Sequence, residues 1–315
     1  VVSRMYGRVV HVMSSLTALW NRTFAVLGRV SMYRLVVFAL VALAVIAFVL
    51  SFFGVLAPSP IELVAAWAAL AASCVATDAV AHRLLGKAWR WESSLITVLI
   101  LLFVLRPTVE PLGLVGLFVA GVIASASKYL LAWQGRHIFN PAAVGATFLT
   151  VVSIWLPDLG SSSWWVGTPY LAGPVILLGL VVLLRTEKVR IITLFLVVAV
   201  AVAFVRASIQ FSQAGLEFDP GTVFWQLLWS SPFLFLGAFM LSEPLTLPPR
   251  RWQQFAVAAL VGILAGWPID LGDISLGQER ALLVGNLLAF AFTVRTAVRL
   301  RFVRRDALTP SVREL

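Results

Sequence analysis

The residues best placed to do chemistry lie in one short polar stretch, residues 136–145 (RHIFNPAAVG), between two long apolar runs. Pro141 suits the first turn of a new helix, because an N–H group has no intrahelical partner there. Asn140 then occupies the N-cap, where its side chain can accept from the free amides. The stretch predicts either a helix start whose positive end faces an anionic group or an ordinary turn between helices.

A second polar break, residues 242–249 (SEPLTLPP), precedes Arg250 and Arg251. Ionisable groups are costly in an apolar span and are therefore candidates for function. Those in or beside the spans are Glu62, Asp78, Glu92, Glu110, Lys128 and Glu243. Six of the polar residues in and around the two breaks map to one side of the membrane and form a candidate polar cluster: Lys128, Arg136, His137, Glu243, Arg250 and Arg251.

Simpler interpretations of these charges stay open. Asp78 lies four residues before His82 and can pair with it on one helix face. Glu243 can form an interfacial ion pair with Arg250 or Arg251. Lys128 can extend its ammonium group to the cytoplasmic surface.

The composition is that of an all-α polytopic membrane protein, with 61% hydrophobic and 12% charged residues and a mean hydropathy of +0.97. A single cysteine, Cys74, excludes a disulfide framework or a cysteine-held cluster within the chain, and the three histidines lack metal-ligand spacing. We find no nucleophile triad, phosphate loop or dinucleotide fingerprint. The net charge of +10 fits cytoplasmic loops and anionic lipid rather than nucleic acid.

Ten apolar runs are candidates for membrane spans. They cover residues 33–57, 61–85, 92–106, 110–133, 141–156, 169–185, 189–206, 221–242, 252–268 and 278–298. The runs 92–106 and 141–156 are short, which is typical of half-helices or tilted segments. With ten spans, all but three of the 24 basic residues share the side of the termini, the exceptions being Arg106, Arg206 and Arg280. The positive-inside rule therefore predicts cytoplasmic termini.

Ten spans divide into two halves of five, and an odd number per half predicts an inverted repeat. The two breaks do not occupy corresponding positions in the two halves, which weighs against it. Residues 1–32 are basic and apolar without a cleavable signal, and they predict an amphipathic interfacial segment. We therefore expect a transmembrane domain over residues 33–299.

Three stretches together carry a family resemblance: residues 92–112 (ESSLITVLILLFVLRPTVEPL), residues 128–149 with the motif FNPAAVG, and residues 239–252 (FMLSEPLTLPPRRW). Their order and spacing resemble the NqrB/RnfD family, which comprises membrane components of the sodium-translocating NADH:quinone oxidoreductase and of the Rnf ferredoxin:NAD complex. The resemblance implies ten helices in two inverted five-helix repeats, similar to urea channels. It also implies bound FMN or riboflavin and electron transfer, in a bacterial or archaeal cell membrane.

In that family FMN is joined to a threonine in a D-G-x-S-G-A-T motif, in the outward loop after the NPA helix. The matching place here ends in Thr168-Pro169, but the aspartate and the Ser-Gly-Ala are missing. Both covalent attachment at Thr168 and a noncovalent flavin therefore stay open. Trp164 and Trp165, just before it, are either flavin-stacking residues or interfacial anchors.

The C-terminal residues 300–315 (LRFVRRDALTPSVREL) resemble the first β-strands of ferredoxin-NADP reductase-type domains. The resemblance implies a following cytoplasmic module that binds FAD and NAD(P)H. The alternative is a frayed basic tail.

We expect a membrane flavoprotein that carries electrons from a cytoplasmic NAD(P)H-linked donor, through a reductase module or the subunits of an electron-transport complex. The expected flavin-binding residues are Arg136, Asn140, Pro141, Gly145, Trp164, Trp165, Thr168, Glu243, Thr246 and Arg250. No catalytic residue or metal ligand is predicted. The alternatives are a permease for a flavin or urea-like solute and a non-catalytic membrane anchor for a reductase.

Overall fold

The computed structural model describes residues 31–86, 90–271 and 274–306. Its helices are α1 (Met32–Phe52), α2 (Pro60–Leu85), α3 (Trp91–Val104), α4 (Pro111–Leu130), α5 (Pro141–Val152), α6 (Pro169–Thr186), α7 (Val189–Gln213), α8 (Pro220–Trp229), α9 (Phe233–Leu241), α10 (Arg251–Gly266) and α11 (Gln278–Asp306). The predicted N-terminal interfacial segment lies almost wholly outside the described residues.

The all-α, membrane-type architecture is confirmed, but the number of full-length spans is smaller than predicted. Every predicted run contains a helix, yet six helices of the described chain are long and apolar enough to cross a bilayer, or seven if α8 and α9 form one span bent by 42°. The helices α3, α5 and α10 have only 14, 12 and 16 residues. The predicted runs at these places, 92–106, 141–156 and 252–268, are almost as short, in agreement with the half-helix interpretation of the first two, and a proline or a polar residue follows closely after each helix.

Two small hairpins are the only sheets among the described residues: β1 (Ala132–Trp133) with β2 (Arg136–His137), and β3 (Ile269–Leu271) with β4 (Ile274–Leu276). The first hairpin turns through Gln134 and Gly135, both with positive φ (51° and 78°). Two such residues form the tight turn whose twist matches paired strands. The hairpin therefore fixes the chain just before α5 begins.

Small residues let the helices pack closely. The helix α4 lies between α2 and α5, and α10 lies between α7 and α11. A Cβ atom on Gly145 would come within 2.5 Å of the Ala120 carbonyl oxygen, and one on Gly266 within 2.5 Å of the Ala199 carbonyl oxygen. Gly145, one of the expected flavin-binding residues, thus lies at a helix-packing position.

The centre of the bundle is occupied by α3 and α9, which are buried over most of their length. Four aromatic rings form a row across this centre, in the order Phe239, Phe235, Phe103 and Trp165. Successive ring centroids are 5.2, 5.4 and 5.2 Å apart. The helix α3 gives way to extended chain over residues 105–110, and α9 gives way to a series of turns and bends over residues 242–250.

The last helix is longer than the sequence indicated. Residues 300–306 continue α11 rather than forming the β-strand that their alternating pattern resembles. Residues 307–315 lie outside the described part of the chain, so the proposed start of a reductase domain stays a prediction.

Candidate functional site

The two polar breaks meet at one end of the bundle, although Asn140 and Glu243 are 103 positions apart in the chain. Glu243 Oε1 lies 2.7 Å from His137 Nε2, and Glu243 Oε2 accepts a 3.0 Å hydrogen bond from the Asn140 side-chain amide. Arg136 donates to the carbonyl oxygens of Pro244 and Leu245, at 2.7 and 2.9 Å. We call these residues the break cluster: Arg136, His137, Asn140 and Glu243.

The predicted N-cap of α5 is present, and its anionic partner belongs to the protein. Asn140 Oδ1 accepts from the Ala143 amide at 3.1 Å, while the Asn140 backbone amide donates to Asn286 Oδ1 at 2.8 Å. Pro141 and Ala143 are buried. The carboxylate of Glu243 is therefore the anionic group that faces the positive end of α5.

The other residues predicted for this face have structural surroundings. Thr246 is buried, and its hydroxyl donates to the Glu243 carbonyl oxygen at 3.2 Å within the turn. Arg250 is exposed, and its backbone amide donates to Gln253 at the start of α10. The ion pair of Glu243 in the described chain is with His137, rather than with Arg250 or Arg251.

A second charged group lies beside the break cluster. Lys128 Nζ is 3.0 Å from Asp78 Oδ2, and the two side chains are only 7% and 2% exposed. The Ser94 hydroxyl donates to the same carboxylate oxygen. The structure therefore corrects two interpretations, because Asp78 pairs with Lys128 on another helix and Lys128 does not reach the surface.

A cavity of about 340 Å³ separates the buried ion pair from the break cluster. We call it the tyrosine cavity, and its polar lining consists of Tyr33, Asp78, Arg90, Ser93, Lys128, Tyr129 and His137. The Tyr129 hydroxyl also interacts with the Asp78 carboxylate, whose Oδ1 is buried. The cavity thus combines two basic side chains, two phenols, an imidazole and the Asp78 carboxylate.

A narrower slot adjoins this cavity and shares Tyr33 and Ser93 with it. Its volume of about 50 Å³ holds a few water molecules. Apolar side chains, among them Phe239, line most of it, and Asn140 and Glu243 supply polar groups at its wall. Of these two adjoining spaces, only the tyrosine cavity falls within the range of about 300–1,000 Å³ that is typical of small-ligand pockets.

The residues predicted for an outward flavin site lie beyond the other end of α5, about 18 Å along that helix by its 12 residues. Trp164 is buried and donates to Glu279 Oε2 at 2.8 Å, and Trp165 donates to the Leu102 carbonyl oxygen at 2.6 Å while packing against Phe103. Trp164 is thus part of the core, and Trp165 is half-buried against it. Thr168 is the half-buried N-cap residue of α6.

Sequence reasoning missed several residues of both ends. Asn286 and Glu279 lie on α11 and are each 1% exposed. Glu279 accepts from Ser162 and Trp164, and Asn286 supports the break cluster. An asparagine within an apolar span was the available signal, because such a residue seldom remains without a partner there.

Within the described residues, no group of three or more His, Cys, Asp or Glu side chains is arranged to hold a metal ion. No family model matches this chain, and no curated protein matches it either.

Proposed function

We propose that this chain is a membrane-embedded flavin-binding domain that carries electrons from a cytoplasmic NAD(P)H-linked donor. The observation that carries the proposal is the tyrosine cavity, which lies between a buried ion pair and the junction of two helix breaks. Interrupted helices that meet in a polar cavity are a common way to build a site inside a membrane protein.

The lining of the tyrosine cavity suits a flavin with a phosphate. Arg90 and Lys128 offer positive charge to the phosphate. Tyr33 and Tyr129 provide aromatic surface with a hydroxyl at one end. A bound flavin would supply the redox chemistry, while these residues bind and orient it.

We also propose ten membrane segments in two inverted halves, as in urea channels. The packing of α2 on α4 and of α4 on α5 has a counterpart in that of α7 on α10 and of α10 on α11. The contact of α1 with α3 likewise matches that of α6 with α9. In this scheme the break at 242–249 follows α9, and its counterpart in the first half is the extended segment 105–110 after α3. The break at 136–145 is not its counterpart, which explains why the two polar breaks occupy different positions in the two halves.

The aromatic row favours electron transfer over solute transport. A permease of this fold would need a polar path between the halves, yet Phe103, Phe235, Phe239 and Trp165 fill that centre in mutual contact. A third possibility, a membrane anchor without a cofactor, does not account for the cost of a buried ion pair beside a polar cavity. We place the domain in a bacterial or archaeal cell membrane with cytoplasmic termini, next to a reductase module.

An absorption spectrum of the detergent-purified protein, taken before and after acid precipitation, tests the proposal. We expect flavin bands that leave the pellet with acid, because the tyrosine cavity offers no covalent attachment. Colour that stays in the pellet would shift the site to Thr168 and contradict this location. A colourless protein that fails to take up FMN or riboflavin would remove the flavoprotein hypothesis and favour the permease.

A further inference from the structure

A separate basic pocket lies where two helices begin, on the face that carries the break cluster. It has a volume of about 540 Å³ and lies between the α6–α7 turn and the start of α10. Lys188, Arg190 and Arg251 line it, against one carboxylate, that of Glu187. In the described chain no acidic side chain lies within ion-pair distance of Arg190 or Arg251.

The backbone adds positive potential to this pocket. The helices α7 and α10 both begin there, neither N-cap side chain bonds to the free amides, and neither first turn contains an acidic residue. The N-terminus of a helix attracts anions through these amides and through the helix dipole. The two helix ends therefore reinforce the three cationic side chains.

A pocket at another pair of helix starts provides a comparison within the same molecule. A cavity of about 730 Å³ lies at the starts of α2 and α4, and its lining includes Glu62, Glu110 and Asp158. Glu62 accepts from the Ser59 amide at 2.7 Å and completes the cap of α2. The chain thus supplies its own anions to the helix starts of α2 and α4, whereas at those of α7 and α10 it supplies mostly cations.

We propose that the pocket at the starts of α7 and α10 binds a phosphate group. Lys188 supports this independently, because burial and the nearby Arg251 hold the pKa of its ammonium group below the usual value. An anion between the two would relieve that repulsion. Phe255 and Ile191 form apolar walls beside the charges, as a phospholipid headgroup with its attached chains requires. The phosphate comes from an anionic lipid or from a soluble compound.

The test compares thermal unfolding of the purified protein in a zwitterionic detergent with added phosphatidylglycerol, phosphatidylcholine or inorganic phosphate at constant ionic strength. The variant is Arg190→Gln/Arg251→Gln. The matched control, Arg83→Gln/Arg295→Gln, removes two exposed arginines outside the pocket. We expect phosphatidylglycerol to raise the midpoint of the wild type and the control. The phosphatidylglycerol concentration that gives half of the maximal rise should be about 25-fold higher in the variant, because each basic residue lost should cost about fivefold in affinity.

A soluble phosphate compound would be identified as the ligand by three results together. Inorganic phosphate would raise the unfolding midpoint of the wild type, the Arg190→Gln/Arg251→Gln variant would lose this response, and phosphatidylglycerol would raise the midpoint no further. Equal responses of the wild type and the Arg190→Gln/Arg251→Gln variant would overturn the site. A second measurement needs no variant: mass spectrometry of the wild type purified with both lipids present. Equal retention of phosphatidylglycerol and phosphatidylcholine would also overturn the site. The proposal does not rest on flavin binding, and these readouts involve no flavin.

Discussion

Breaking the buried ion pair should destabilise the protein strongly, and removing both of its charges should not. Lys128→Met leaves the Asp78 carboxylate 2% exposed, without its cation and with only the Ser94 and Tyr129 hydroxyls beside it. An uncompensated buried charge of this kind costs about 3–5 kcal/mol. At about 2 °C per kcal/mol for a chain of this size, the unfolding midpoint should fall by about 6–10 °C.

The double variant Asp78→Asn/Lys128→Met removes both charges and should recover most of the loss, because a neutral pair costs little to bury. The Arg34–Glu92 pair is the control, since its arginine side chain is 57% exposed. Arg34→Met should therefore cost less than about 1 kcal/mol. Unfolding followed by circular dichroism in one detergent measures all four proteins. The reasoning fails if Lys128→Met loses no more than Arg34→Met, or if the double variant does not recover.

Three other changes test the packing and the charges. Gly145→Ala should lower the yield of folded protein, because the new Cβ atom would lie 2.5 Å from a carbonyl oxygen of α4. In the control, Gly173→Ala, the new Cβ atom meets nothing within 4 Å, so the yield should not change. Equal yields of the two variants would contradict the packing of α5 on α4. Trp164→Phe removes a hydrogen bond to a buried carboxylate on α11 and should cost about 1–3 kcal/mol in urea unfolding, while the exposed Trp225→Phe should cost almost nothing. Burial lowers the pKa of Lys188 in the folded protein, so the unfolded chain binds this proton more tightly. The unfolding midpoint should therefore rise with pH between the pKa of Lys188 in the folded protein and its higher pKa in the unfolded chain. Lys188→Gln should flatten this rise, and an unchanged slope would show that Lys188 is not its source.

The positions of the helices could be predicted from the sequence because apolar runs and capping residues are local signals. Asn140 and Pro141 marked the start of α5, and the structure has the cap hydrogen bond that these residue types predict. The shortness of α3 and α5 could also be predicted, because their apolar runs are short. The environment of α3 could not, since neighbouring helices bury it and hydropathy does not distinguish burial in protein from burial in lipid.

The candidate site was only partly predictable, because its contacts join residues far apart in the chain. The sequence placed His137 and Glu243 on one side, and the structure brings them to 2.7 Å. The pairing of Asp78 with Lys128 depends on which face of α4 packs against α2, and no local pattern determines that. The indole groups of Trp164 and Trp165 looked available in the sequence because their partners lie on α11 and α3.

The most direct test of the central claim is a fluorescence-quenching titration of FMN and riboflavin with the purified protein. If the tyrosine cavity binds the flavin, both should be quenched, and FMN should bind more tightly because Arg90 lines the cavity. Arg90→Gln should lower the ratio of FMN affinity to riboflavin affinity by about tenfold or more, as expected for loss of a charged hydrogen bond. Arg83→Gln should remove none. Absence of quenching at all concentrations, or an unchanged preference for FMN in Arg90→Gln, would contradict the account.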